Sequence, residues 1–253
     1  MAGPNSRADV DLLLLDEEQN ATFDDEYHSP ADLADKVENL RALFPSGPRS
    51  FLDLGGGNGH FLDYLLEAFP AASGTLIDIS TLLLSKNAPH PRKRLVEGSV
   101  ADLERLVGSD KFDVISVNWV LHHLVGSTYE TCMRNMATLL SSCVKVLAPG
   151  GVIVVAENMF DGPLNASSHI IYGITRIEHP QFVRLARRYF NTSGVGVCFQ
   201  SEAAWRRLFA DLRLRVVREQ FGRPWPVTPV QRLMTWLLLL KDRRKGHFYL
   251  RPD

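Results

Sequence analysis

Cysteine is scarce. Cys132, Cys143 and Cys198 are the only three in 253 residues, widely spaced and without a CxxC pair. That excludes a disulfide scaffold and offers no zinc-ligand spacing, so no metal is expected and a reducing cytoplasm is the default compartment. Long apolar runs are missing too. The longest, Leu233 to Leu240, has eight residues and includes Thr235, whereas a membrane-crossing helix needs about 20. The short run Leu12 to Leu15 is flanked by acids with no basic segment before it, so no signal peptide is expected. Net charge is nearly absent: 28 basic and 29 acidic residues leave −1. The chain as a whole therefore gives no electrostatic case for nucleic acid or an anionic membrane as partner. Internal repeats and low-complexity tracts are absent as well.

What charge there is lies unevenly. Residues 1–40 hold 11 acids and 2 bases, and residues 201–253 hold 5 acids and 12 bases. The two ends either attract each other across the fold or form two solvated faces. Hydrophobic residues make up 45% of the chain, enough for one sizeable core without staples.

The N-terminal stretch predicts a frayed start, a short helix near 9–18 and a second over 31–44, where Leu33, Val37, Leu40 and Phe44 recur at helical spacing. Ser29 is its expected N-cap with Pro30 at the first helical position, and Pro45 stops it. From residue 50 strand and helix alternate. Strands are expected at 50–54, 74–80, 94–98, 112–120 and 151–157, and helices at 60–69, 82–87, near 101–108 and at 127–147. Five alternations in roughly 110 residues indicate a parallel sheet covered on both faces, hence an α/β doubly wound fold whose ligand site lies at the carboxyl ends of the strands. The alternation breaks at 158–200, read as an insertion whose clearest helical piece is 185–190. A helix at 201–212 capped by Ser201, a strand at 213–221, a helix at 230–241 and a last strand at 247–250 complete the chain.

The most informative segment is FLDLGGGNGHF (51–61): a strand ends, glycines follow, a helix begins. Glycines at 55, 57 and 59 let a ligand approach the backbone, and the helix start offers unpaired N–H groups. The spacing is GxGxG, not the dinucleotide GxGxxG, because His60 stands where the third glycine would fall. This disfavours a nicotinamide oxidoreductase. Asp53, just before the loop, suits a cationic amino group better than a pyrophosphate. Asp78 ends the next strand 19 residues after Gly59, where a carboxylate can accept two hydrogen bonds from ribose hydroxyls.

Together LDLGGGNG (52–59), LIDIS (76–80), VEGSV (96–100), FDVISVNWVLHHL (112–124) and LAPGGVIVVAE (147–157) resemble the class I S-adenosylmethionine-dependent methyltransferase family, and the small-molecule, natural-product type O-methyltransferases within it. The resemblance covers about 50–157 and implies a mostly parallel seven-stranded Rossmann-like sheet. It divides the chain into a helical cap over 1–48 and a cofactor-binding domain over 49–253 with a substrate lid at 158–200. It also implies S-adenosylmethionine as cofactor and S-adenosylhomocysteine as product. In it Asp53, Gly55, Gly57, Asn58 and Gly59 would hold the methionine part, Asp78 the ribose, and Ile79 the adenine. Ser99 and Val100 would border that ring, and Asn118 and Trp119 would lie under the methionine portion. Many relatives carry Gly-Asp where this chain has Gly98-Ser99, so the adenine amine would meet Ser99, Asp102 or a backbone carbonyl.

His122 aligns with the catalytic histidine of those O-methyltransferases and is the candidate general base; His123 beside it and Glu157 at the end of the fifth strand are further candidates. Tyr27, His28, His169, Tyr172 and Arg176 are candidate substrate contacts from the cap and the lid, with His179 nearby. Arg184, Arg187 and Arg188, like Lys241 to Lys245, are read as solvated basic faces. Trp236, Leu237 and Leu240 would pack on the sheet or at a homodimer contact. The expected reaction is methylation of a small, partly apolar metabolite, at oxygen ahead of nitrogen or carbon. A tRNA or protein methyltransferase is the alternative, although no basic stripe interleaved with aromatics is visible. A non-catalytic protein that binds the cofactor or its product is the other.

Overall fold

A computed structural model describes residues 11–13, 19, 28–186, 192–225 and 235–253. The expected helix near 9–18 apart from 11–13, most of the piece at 185–190 and residues 230–234 of the helix expected at 230–241 fall outside these residues. So do Tyr27, Arg187 and Arg188.

Strands β1 (Ser50–Leu54), β2 (Ser73–Asp78), β3 (Lys93–Glu97), β4 (Phe112–Asn118), β5 (Leu147–Asp161), β6 (Leu214–Phe221) and β7 (Asp242–Pro252) form one sheet in the order β3-β2-β1-β4-β5-β7-β6. The first five run parallel, and β7 pairs antiparallel with both β5 and β6. This is the doubly wound, mostly parallel seven-stranded sheet that the alternation and the resemblance imply. The strand order reverses between β1 and β4, which places a crevice at their carboxyl ends.

Alternation along each strand sends successive side chains to opposite faces. Phe51, Leu76, Val114, Val152, Val154 and Tyr249 face helices α1 (Pro30–Leu43) and α2 (His60–Ala68). Leu52, Ile77, Ile115, Ile153, Val155 and Phe248 face α4 (Leu103–Val107), α5 (Tyr129–Val146) and α8 (Glu202–Asp211). The short α3 (Thr81–Ser85) follows β2. The central strands β1, β4 and β5 are buried on both faces and read as continuous apolar runs, unlike the edge strands β3 and β6.

The two expected N-caps are in place. Ser29 accepts from Asp32 N and the Asp32 side chain accepts from Ser29 N, a capping box with Pro30 at the first turn. Ser201 caps α8 by accepting from Ala204 N. Boundaries moved where pairing partners extend a strand. β5 continues to Asp161 instead of ending at 157, because β7 pairs with it through Asp161. β7 in turn starts at Asp242 instead of 247. The expected insertion therefore begins after 161, with α6 (Ala166–Thr175) and α7 (Pro180–Ala186). Its return passes over the end of β4, where Cys198 N donates to His122 O (2.9 Å).

Leu62 on α2 is wholly buried, and Gly74 of β2 leaves the space its side chain fills. Leu62→Ala is expected to cost about 2–5 kcal/mol through the cavity it opens, measured as a fall in the urea midpoint at unchanged slope.

Candidate functional site

The loop after β1 is shaped by its neighbours. Gly55 and Gly57 take positive φ, 66° and 53°, which side chains with a Cβ adopt only with strain. Gly57 N donates to Asp78 Oδ2 (2.8 Å), and Asn87 Nδ2 donates to Gly57 O (2.8 Å). Asp78 Oδ1 accepts from Ser80 N (2.8 Å), so the carboxylate at the end of β2 ties that strand to the glycine turn. Asn58 Oδ1 accepts from His60 N (3.3 Å), and Gly59 stands at the start of α2. Asp53 is buried at 1% exposure, and its Oδ1 accepts from Ser116 Oγ of β4 (2.7 Å). Ile79, by contrast, is exposed at the end of β2. Ser99 Oγ caps the turn after β3 by accepting from Ala101 N (3.2 Å), with Val100 beside it against the core. Asp102 pairs with Arg105 (2.7 Å) on the surface.

At the end of β4 the backbone turns sharply. Trp119 takes φ 55°, a left-handed conformation that costs a bulky residue of order 1 kcal/mol or more. Its N–H donates to Ala156 O (2.7 Å) and its indole Nε1 to Asn158 Oδ1 (3.2 Å). The His28 ring lies 4.6 Å from both the Trp119 and Phe61 rings. Asn118 Oδ1 accepts from Lys36 Nζ (3.1 Å). Lys36, from α1, is 1% exposed; burial pushes its ammonium down to about 7, against the pull of Asp53 and Asp32. The sequence reading passed it over. Its place in the stripe between Leu33 and Leu40, where an apolar residue is expected, was the available signal.

On the opposite face of the sheet, His122 and Glu157 meet. His122 Nδ1 lies 2.5 Å from Glu157 Oε2, and both side chains are buried. Glu157 Oε1 accepts from Leu121 N (2.9 Å) and His122 N (3.4 Å). Burial pushes Glu157 up to about 8 and His122 down to about 3, so both directions favour an uncharged pair sharing one proton over an ion pair. The His122 ring packs on His123 (4.1 Å) and on Phe199 (4.6 Å), which itself stacks on Phe160 (4.3 Å). His123 is held well below its ordinary value by burial, then by the proximity of His122.

The expected substrate contacts do not converge. His28 stands at Trp119. His169 is exposed and stacks on Tyr129 of α5 (3.8 Å), Tyr172 OH donates to Gly126 O (3.0 Å), and Arg176 Nη1 reaches Val195 O (3.5 Å). These last three fasten α6 to the start of α5 and to the returning segment. His179 and Arg184 are exposed. Among the described residues no cluster of His, Cys, Asp and Glu could hold a metal ion, and no helix is long and apolar enough to cross a membrane.

Residues 52–153 match the family model described as a methyltransferase domain. The chain is 33% identical over 139 residues to trans-aconitate 2-methyltransferase of Acidovorax sp. (strain JS42), covering 53% of this chain and 45% of that protein. It is 29% identical over 131 residues to aclacinomycin 10-hydroxylase RdmB of Streptomyces purpurascens, covering 52% and 31%. The chain thus spans less than half the length of these relatives. An S-adenosylmethionine-dependent methyltransferase from Thiobacillus denitrificans, solved with S-adenosylhomocysteine, superposes with TM-score 0.58 at 17% identity over 93% of this chain and 97% of that one. At that identity the likeness is one of fold.

Asp78→Ala removes both the expected ribose partner and the anchor of Gly57. Affinity for S-adenosylhomocysteine, measured by calorimetry, is expected to fall by about 1–3 kcal/mol.

Proposed function

From the match of residues 52–153 to the methyltransferase-domain model, we propose that the chain is an S-adenosylmethionine-dependent methyltransferase that transfers a methyl group to an oxygen of a small, partly apolar metabolite, with His122 as general base and Glu157 as its orienting partner. The observation that supports this reading is the buried 2.5 Å contact between the two, at the carboxyl ends of β4 and β5.

The residues present suit the cofactor. Asp53 offers an anion to its amino group, and the positive-φ glycines admit its amino-acid end close to the backbone. Asp78, at the end of β2, would take the ribose hydroxyls, and exposed Ile79 would offer an apolar platform for adenine, with Ser99 and Val100 at its border. Asn118 and Trp119, at the end of β4, would flank the methionine portion. When bound, S-adenosylmethionine supplies an electrophilic methyl on a sulfonium and leaves as S-adenosylhomocysteine.

The chain's own part is to hold the acceptor and take its proton. Nε2 of His122 has no hydrogen-bond partner among the described residues. As the oxygen–carbon bond forms, the hydroxyl proton passes to that nitrogen while Glu157 holds the Nδ1–H. The pair is competent only after losing its shared proton. Below that point Nε2 carries hydrogen whichever partner holds the extra proton. Phe199 and the 192–200 return cover the pair, so this cover lifts to admit the acceptor.

His122→Ala is expected to lower turnover by about 10²–10⁴, read as transfer of label from methyl-labelled cofactor to a metabolite pool. No label transfer by the wild type would overturn the catalytic reading. In the wild type, kcat should rise with pH through about 8, the value to which burial pushes Glu157. In Glu157→Gln the amide carries no titrating proton, and this alkaline limb should disappear. A limb unchanged in the variant would exclude the pair as its source.

A further inference from the structure

The segment that covers the base is fastened by a polar network. Phe199 lies on the His122 ring (4.6 Å), and Cys198 N donates to His122 O (2.9 Å). Next in the chain, Gln200 is wholly buried. Its Oε1 accepts from Tyr129 OH (2.7 Å) and from Asn165 Nδ2 (3.1 Å), and Asn165 Nδ2 also donates to Tyr129 OH (2.7 Å). Side chains from α5, from the start of α6 and from the return thus close a ring of hydrogen bonds. Gln200 Nε2 donates to Cys198 O (3.3 Å), and Asn165 Oδ1 accepts from Ser168 Oγ (2.9 Å) and Ser201 N (3.3 Å). Both amides use donors and acceptors alike, as a network at this depth requires.

Two features set this ring apart from ordinary packing. Asn165 and the residue before it, Leu164, both take left-handed backbone, with φ 60° and 49°. Asparagine tolerates that conformation; leucine holds it only with strain, and Leu164 is fully exposed, with no burial to offset the strain. The return, moreover, meets β5 through a single bridge, Gln200 with Met159, where Phe160 N donates to Gln200 O (3.1 Å). Val197 and Phe199 belong to a small apolar cluster with Ile171 and Leu238, and among the described residues of the return only Cys198 reaches the larger core. Hydrogen bonds exchanged for water cost little net, whereas parting a large apolar face costs much more. A cover closed by a polar ring, one bridge and a small apolar cluster can therefore open while the sheet and its helices stay packed.

We propose that Gln200 is a positioning residue for the methyl transfer, and that its ring with Tyr129 and Asn165 is the latch of the cover. Closed, the latch seats Phe199 on the His122 ring and Cys198 on the His122 backbone, so that the imidazole keeps its approach to Glu157 and water is excluded. Open, it lets the acceptor reach Nε2. The positioning role rests on the reading of His122 as base; the latch does not.

Tyr129→Phe removes one hydroxyl of the ring and leaves the Gln200 contact to Cys198 Sγ (3.2 Å) in place. Asn165→Gly suits the left-handed backbone, removes the amide, and serves should the first variant fail to fold. Opening is read on the full chain by alkylation with iodoacetamide, mapped by mass spectrometry. Cys198 sits on the return, while Cys143, equally buried, sits on α5 in the main core. A rise of about tenfold at Cys198 with Cys143 unchanged supports the latch. Equal rises at both thiols, or none at Cys198, overturn it. Turnover is followed in these variants and in Gln200→Leu by label transfer to a metabolite pool. A fall of about tenfold, with the alkaline limb moved to lower pH as water reaches Glu157, His122 and their titratable neighbour His123, supports the positioning role. An unmoved limb in a variant that opens overturns that role, whatever the rate. A wild type without transfer overturns the methyltransferase reading instead, and the alkylation still judges the latch by itself.

Discussion

One hydrogen bond joins the parts on which the site depends: the Gly57 N–H donating to the carboxylate of Asp78 (2.8 Å). It runs from the turn after β1 to the end of β2, and Ser80 N holds the other carboxylate oxygen from the far side. A glycine turn with φ near 53° has little to keep it in one shape by itself. Tied to a buried carboxylate, and with Asn87 on its carbonyl, it becomes a fixed cradle at the point where the strand order reverses. The crevice, the helix start behind it and the exposed Ile79 follow from that placement.

The remaining cost of the site is electrostatic. Two faces of the sheet are packed almost wholly with aliphatic and aromatic side chains, yet Asp53, Lys36, His122, Glu157 and His247 are all buried, close to the carboxyl ends of the strands. On one face a histidine and a glutamate lie 2.5 Å apart; on the other a buried lysine donates to Asn118 and a second histidine has no hydrogen-bond partner for either ring nitrogen. Buried polar groups on a sheet that would be more stable without them are a mark of function over stability. The strained Trp119, at the hinge between the two clusters, belongs to the same pattern.

The placement of several of these residues was legible beforehand. The loop glycines, Asp53, Asp78, His122 and Glu157 stand in short ordered motifs, each at the end of a strand whose apolar run announces it. Ser29 and Ser201 cap the helices they were expected to cap. What escaped were residues whose role comes from distant partners. Lys36 reads as one base in an acidic segment until α1 folds onto β4, 82 residues away. His247 reads as part of a last strand. His169, Tyr172 and Arg176 looked like a substrate-facing group because they lie in one insertion, but each is engaged in holding α6 against α5 or the 192–197 return.

The sequence by itself determined the layered α/β architecture, the order of its early elements, the glycine-rich turn after β1 and the chemical types available near it. Those properties are set by short-range periodicity and by glycine and capping chemistry, which act over a few residues. Only the tertiary structure decided that His122 and Glu157 touch, that β5 runs on to Asp161 to pair with β7, and that Lys36 reaches Asn118. Contacts of that kind join residues far apart in the chain. They depend on strand register and on which face of the sheet each helix covers, and no local pattern records either.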